Sequence, residues 1–167
     1  TQINTGAVDA KLGTWTWNIS EDTEPSNYAR IKVAYTGNES NTSDICNYNI
    51  TVAKLTVTTP NGGNNWKAGS TYEIIWNQTA LNKVNLSYSL TGGEPWTPIP
   101  EADNLTASNQ SFNWSIPSNM TVSNSVKVIV EDVDNPAVND TSNSTFAIVP
   151  NYNITHPDSG EVLYAEE

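Results

Sequence analysis

Thirteen of the 23 asparagines in this sequence are followed two positions later by serine or threonine. They are Asn18, Asn38, Asn41, Asn49, Asn77, Asn85, Asn104, Asn109, Asn113, Asn119, Asn139, Asn143 and Asn153. Asn-X-Ser/Thr is the acceptor signal for N-linked glycans, weak as a single copy because chance produces it readily. Chance pairing in a chain of this composition would give about five. Neighbouring residues provide a second test. Asn18 lies between Trp17 and Ile19, Asn85 between Val84 and Leu86, Asn113 between Phe112 and Trp114, and Asn153 between Tyr152 and Ile154. On a β-strand, successive side chains point to opposite faces, so inward apolar neighbours turn these asparagines to solvent. A general enrichment of Asn, Ser and Thr on polar β-surfaces would also raise the count, but the excess and the parity together favour covalent glycosylation. Glycans on outer faces and strand edges would also block edge-to-edge aggregation.

Other chemistry is sparse. The only histidine, His156, precedes Pro157 in a turn, and nucleophilic catalysis needs a base held against its nucleophile. No Cys, His and carboxylate set has zinc spacing. The reading is therefore no catalytic residue, no cofactor and no enzyme. Glu131, Asp132 and Asp134, with Asp140 nearby, offer the oxygen ligands that hold Ca²⁺ at a domain end. A solvated strand end has the same composition, and that reading is favoured. Trp96, Trp66 and Trp15 lie near turns or strand ends, where aromatic rings can stack on sugars. Trp96 is the one with no obvious packing role and is the candidate ligand-binding residue. Cys46 is the only cysteine, so no disulfide forms within the chain, and a buried or bystander thiol is expected.

The elements that position these residues recur. An offset of 97 positions carries GTWTWNIS (Gly13–Ser20) onto QSFNWSIP (Gln110–Pro117), placing Trp17 on Trp114. The same offset carries RIKV (Arg30–Val33) onto KVIV (Lys127–Val130) and LTVTTPNGG (Leu55–Gly63) onto YNITHPDSG (Tyr152–Gly160). Only the loop near Asn38–Asn47 needs small compensating gaps. Self-similarity at a fixed period is the mark of a repeat array. The expected organisation is the C-terminal part of a preceding β-sandwich repeat at 1–53, a complete repeat at 54–150, and the first strand and turn of the next at 151–167. The missing strands would come from a neighbouring copy or from another chain, and residues 1–53 are expected to be unstable alone.

Within 54–150, short β-branched and aromatic runs predict strands at Lys54–Thr59, Thr71–Trp76, Val84–Ser89, Trp96–Ile99, Ser111–Ile116, Ser125–Glu131 and Ser144–Val149. The turns between them are PNGG at Pro60–Gly63, TGGEP at Thr91–Pro95, Pro117 and DNP at Asp134–Pro136. In the earlier copy, Gly13–Ser20, Tyr28–Tyr35 and Tyr48–Leu55 correspond to the last three strands. The fold class expected is all-β, tandem immunoglobulin/fibronectin-III-like β-sandwich repeats. Leu55, Val57, Tyr72, Ile74, Trp76, Val84, Leu86, Tyr88, Phe112, Trp114, Ile116, Val126, Val128, Val130, Phe146 and Ile148 face inward, with Trp114 and its copy Trp17 central. The near absence of a linker between copies favours a stiff rod.

Acidity narrows the function classes. Seven Lys and Arg stand against eighteen Asp and Glu, a net charge of -11 that repels phosphate backbones and speaks against nucleic-acid binding. No apolar run in this segment is long enough to span a bilayer. The runs LTVTTPNGGNNWKAGSTYEIIWN (Leu55–Asn77), VNLSYSLTGGEPWTPI (Val84–Ile99) and FNWSIPS (Phe112–Ser118) resemble the Ser/Thr-rich, immunoglobulin-like cell-surface domain of yeast cell-wall glucan-assembly proteins and of large microbial surface proteins. That resemblance implies an extracellular, often repeated structural domain without catalytic residues. Ser89–Trp96 also resembles the Ser-x-Asp-x-Gly-x-Thr-Trp hairpin of sialidase-type propellers, with Thr91 in place of Asp and Pro95 in place of Thr. The hairpin is structural there and implies no glycosidase activity. The function expected is that of a structural, N-glycosylated tandem-domain segment of an extracellular filament, stalk or surface layer. Its partners would be neighbouring copies or adjacent repeats. The alternative is a carbohydrate- or adhesion-partner-binding module of a surface protein.

Overall fold

A computed structural model describes residues 9–14, 17, 19, 20, 23, 24, 26–36 and 43–152. Its strands are β1 (Ser26–Ala29), β2 (Lys32–Ala34), β3 (Ser43–Ile45), β4 (Ile50–Val52), β5 (Lys54–Thr59), β6 (Asn65–Lys67) and β7 (Thr71–Thr79). They continue as β8 (Lys83–Ser89), β9 (Thr97–Pro98), β10 (Leu105–Thr106), β11 (Ser111–Ser115), β12 (Ser123–Asp132), β13 (Asn139–Thr141) and β14 (Phe146–Val149). The chain is mostly β-strand in several sheets. Among the described residues, no helix is long and apolar enough to cross a membrane.

Two sheets carry residues 54–149. The three-stranded sheet runs β11-β7-β5. The larger one runs β10-β8-β12-β14-β6, with β9 also on β8 and β13 also on β12. All pairings are antiparallel except β14 with β6, which is parallel. One apolar cluster draws on both sheets, taking Leu55, Val57, Ile74, Trp76 and Trp114 from the first and Val84, Leu86, Val126, Val128, Val130, Phe146 and Ile148 from the second. Tyr72, Tyr88 and Phe112 pack against it half-buried. The alternation read from the sequence thus names the inward face throughout this unit. Trp114 sits near the middle of an aromatic group, 5.1 Å from Tyr88 and edge-on to Trp66 at 6.2 Å. Burying a large apolar side chain is worth roughly 1.5–3 kcal/mol, so such a core holds without a disulfide.

The boundaries differ from expectation in informative ways. β6, β10 and β13 were not legible as strands, since each is three residues or fewer and pairs through its backbone at an edge. The expected Trp96–Ile99 strand contracts to Thr97–Pro98, where proline interrupts the ladder. The PNGG turn does more than reverse the chain. It moves the backbone from the first sheet, where β5 pairs with β7, to the second, where β6 pairs with β14.

The four strands β1–β4 form two small antiparallel ladders, β1 with β4 and β2 with β3. The strand expected at Tyr28–Tyr35 is broken between Ala29 and Lys32, whereas its counterpart β12 is continuous. The physical difference is β8, which pairs with β12 from Lys127 to Asp132 and so bridges the interruption. No described strand does this for β1 and β2. In the stretch expected as a strand at Gly13–Ser20, none of the described residues Gly13, Thr14, Trp17, Ile19 and Ser20 is in one, and Trp17 is only half-buried. Val33, which the repeat aligns with the inward Val130, is 71% exposed. Ala53 alone separates β4 from β5. The segment expected to open the next repeat, beyond Tyr152, lies outside the described residues.

Candidate functional site

Nine of the thirteen acceptor asparagines are described; Asn18, Asn38, Asn41 and Asn153 lie outside the described residues. Asn49, Asn77, Asn104, Asn109, Asn113, Asn119, Asn139 and Asn143 are exposed, and Asn85 is half-buried. The strand positions follow from alternation. On β7, Ile74 and Trp76 point into the core and Asn77 points away from it; on β11, Asn113 is exposed between Phe112 and Trp114. Asn113 faces Glu73 across the ladder and Asn77 faces Thr56. Both therefore lie on the outer surface of the three-stranded sheet.

Asn85 departs from the simple parity rule. Its Oδ1 accepts the Asn104 backbone N–H at 2.8 Å, which draws the side chain partly under the loop after β9. Asn139 donates from Nδ2 to the Pro136 carbonyl at 2.7 Å, closing the turn before β13. The other exposed acceptors are surface residues, the setting in which a glycosidic bond to the amide nitrogen can form.

The acidic residues considered for Ca²⁺ do not converge. Among the described residues, no group of three or more His, Cys, Asp or Glu side chains could hold a metal ion. Strand alternation separates Glu131 from Asp132, which is buried and whose Oδ1 has no hydrogen-bond partner. Asp134 is exposed in the turn. Asp140 is committed elsewhere, since its Oδ2 accepts the Val57 N–H of β5 at 2.7 Å. This bond ties the edge of the first sheet to β13 of the second, a role that composition alone did not reveal.

The tryptophans divide by burial. Trp66 is buried and stacks flat on Tyr72 at 4.9 Å, so it is a packing residue and not a platform. Trp96 is half-exposed at the end of a loop organised by Ser89. The Ser89 hydroxyl accepts the N–H groups of Thr91 at 3.1 Å and Gly93 at 3.3 Å and donates to the Gly93 carbonyl. One serine thus folds the Thr91–Pro95 turn and sets Trp96 beside it. Trp15 and His156 lie outside the described residues. Cys46 is half-buried, and its thiol accepts the Ile31 N–H at 3.1 Å.

Comparison of the chain with family models, with curated proteins and with solved structures finds no match.

Proposed function

We propose that this chain is a structural segment of an extracellular, N-glycosylated surface protein made of tandem immunoglobulin/fibronectin-III-like β-sandwich repeats. Such a segment suits a filament, stalk or surface layer. The resemblance to microbial cell-surface domains points the same way, and nothing in the reading assigns a catalytic step. The observation that carries the proposal is the outward placement of the acceptor asparagines. Eight of the nine described are exposed, and on β7 and β11 Asn77 and Asn113 stand next to the core residues Trp76 and Trp114. A β-surface selected only for polarity has no need of Ser or Thr two positions after more than half of its asparagines. Close succession of β4 and β5 would limit swing between units, and the acidity keeps neighbouring arrays apart.

Intact-mass measurement of the protein from its natural source tests this. The expected result is a mass well above the 18.2 kDa polypeptide contribution of this segment, falling on enzymatic or chemical deglycosylation. A segment mass equal to the bare polypeptide would end the glycoprotein reading.

A second reading is favoured by one observation. Trp66, Trp76 and Trp114 are buried, while Trp96 keeps part of its ring at the surface on a preorganised loop. This fits recognition of a carbohydrate or an adhesion partner. Trp96→Ala is expected to weaken binding on a glycan array at least about tenfold while shifting stability by less than about 1 kcal/mol. Undiminished binding by the variant would remove Trp96 from the account.

A further inference from the structure

We infer that residues 26–52 are the rear half of a second unit of the same kind as 54–149. Its open face is built to be covered by the front half of a further copy, joined ahead of it in one polypeptide. The inference rests on the tandem-repeat reading above and specifies the surface that reading requires.

The two segments share their pairing residue by residue. β1 meets β4 at Ser26↔Val52 and Ala29↔Ile50, with a register shift between them. β12 meets β14 at Ser123↔Ile148 and Val126↔Phe146, with the same shift at the same place. β2 meets β3 at Lys32↔Ile45, Val33↔Asp44 and Ala34↔Ser43. β12 meets β13 at Ile129↔Thr141, Val130↔Asp140 and Glu131↔Asn139. One offset carries the first strand of every pair and an offset one residue shorter carries the second, as a single deletion in the intervening loop would produce. Hydrogen bonds repeat as well. The Cys46 N–H donates to the Ile31 carbonyl at 2.9 Å and the Ser142 N–H to the Val128 carbonyl at 3.0 Å. The Ile31 N–H donates to Cys46 Sγ and the Val128 N–H to Ser142 Oγ, each at 3.1 Å. Cys46 therefore stands where the other unit has a serine.

Burial separates the two segments. Val130 and Ser142 are 0% exposed, whereas Val33 is 71% exposed and Cys46 half-buried. The 54–149 unit shows what supplies the cover. β8 pairs along Lys127–Asp132, β6 lies parallel to Ala147–Val149, and the Val57 N–H reaches Asp140. By position, the partners not found among the described residues are a β8-like strand along Arg30–Tyr35, a β6-like strand along Thr51–Ala53, and a β5-like amide at Asp44. Asp44 is exposed and its Oδ1 accepts the N–H of the next residue, Ile45, at 2.9 Å. An uncovered edge bearing alternating apolar residues invites another strand, and the repeat's own front half is the surface whose registers already match.

Cys46 is the chain's only thiol, so its alkylation rate reads the cover directly. The comparison is between the 167-residue chain and the same chain in which residues 1–12 are replaced by a duplicate of residues 54–109. Asn109 of the duplicate then runs into Gly13 as it natively runs into Gln110. Labelling is expected to slow at least about a hundredfold in the extended chain, because it then requires the unit to open. An unchanged rate overturns the inference. Protection in the 167-residue chain that grows with protein concentration also overturns it, because a second chain would then be the cover. A pair of substitutions keeps the test independent of how well the extended chain folds. In the 167-residue chain, Asp140→Ala is expected to lower the urea midpoint of the 54–149 transition and Asp44→Ala to leave it unmoved. In that same chain, Asp44→Ala is expected to leave Cys46 labelling unchanged; faster labelling in the variant would mean that Asp44 already has its partner and would overturn the inference. Glycan mass is unaffected by either result, so failure here and failure of the surface-glycoprotein reading are distinguishable.

Discussion

Trp114→Ala is expected to cost the 54–149 unit about 3–5 kcal/mol, while Trp17→Ala costs that same unit less than about 1 kcal/mol. The two tryptophans occupy equivalent places in the sequence, so the contrast isolates environment from residue type. Trp114 is 2% exposed and belongs to the cluster that joins the two sheets. Truncation would remove its contacts with Tyr88 and Trp66 and leave a cavity that the flanking strands, pinned by their ladders, fill poorly. Trp17 is half-buried and lies outside that cluster. Urea unfolding followed by far-ultraviolet circular dichroism would measure both, because strand content does not depend on the indole being retained. Similar losses for the two variants would mean that Trp17 also supports the 54–149 core. A loss below about 1 kcal/mol for Trp114→Ala would mean that the aromatic cluster is not the keystone its burial implies.

Why one tryptophan is inside and its equivalent is not explains what the sequence could and could not disclose. Period-2 alternation in β7, β8 and β12 reports which face of a strand is apolar, and in 54–149 every residue so identified is buried or half-buried. Alternation does not report whether the opposing sheet is there. Val33 and Val130 carry the same pattern, yet one is exposed and the other fully buried, because only β12 has β8 along its edge. The short strands were hidden for another reason. β6 is Asn-Trp-Lys, with one apolar residue and no alternation to count, and its place is fixed by the parallel ladder with β14 some eighty residues later.

The outward placement of Asn113 was legible because the rule is local: strand parity, set by Phe112 and Trp114, gives the direction. Asn85 shows the limit, since its half-burial depends on the Asn104 N–H from a loop that no local rule places there. The acidic region shows the converse. Glu131, Asp132, Asp134 and Asp140 look alike in composition, but one is half-buried, one is buried, one is exposed and one caps a β5 amide. Similarity of type is not convergence of position. The useful signal was the recurrence of Asp44 and Asp140 once the loop gap is allowed, which a search for metal ligands overlooks.

The second large effect concerns the turn by which the chain changes sheets. Gly62→Ala is expected to destabilise the 54–149 unit by about 2–4 kcal/mol, and Gly63→Ala by only about 1 kcal/mol. Both glycines have positive φ, +120° at Gly62 and +71° at Gly63, so both substitutions strain the backbone. Only at Gly62 is there also no room: a Cβ there would lie 2.6 Å from the Ser144 Cβ, whereas at Gly63 nothing lies within 4 Å. The turn cannot retreat freely, because Asn61 Oδ1 accepts the Asn143 N–H at 2.6 Å and the Gly63 N–H donates to the Thr145 carbonyl at 3.3 Å. These bonds dock the turn onto the approach to β14 and so set the register in which β6 pairs with it. Relief of the clash should therefore be specific. Adding Ser144→Gly to Gly62→Ala is expected to recover at least about 1 kcal/mol, while adding it to Gly63→Ala recovers none. Chemical denaturation of these four variants and of Ser144→Gly alone completes the cycle. Equal behaviour of the two glycines would reduce the turn to a matter of backbone strain alone and remove the Ser144 contact from the account of how the chain crosses from one sheet to the other.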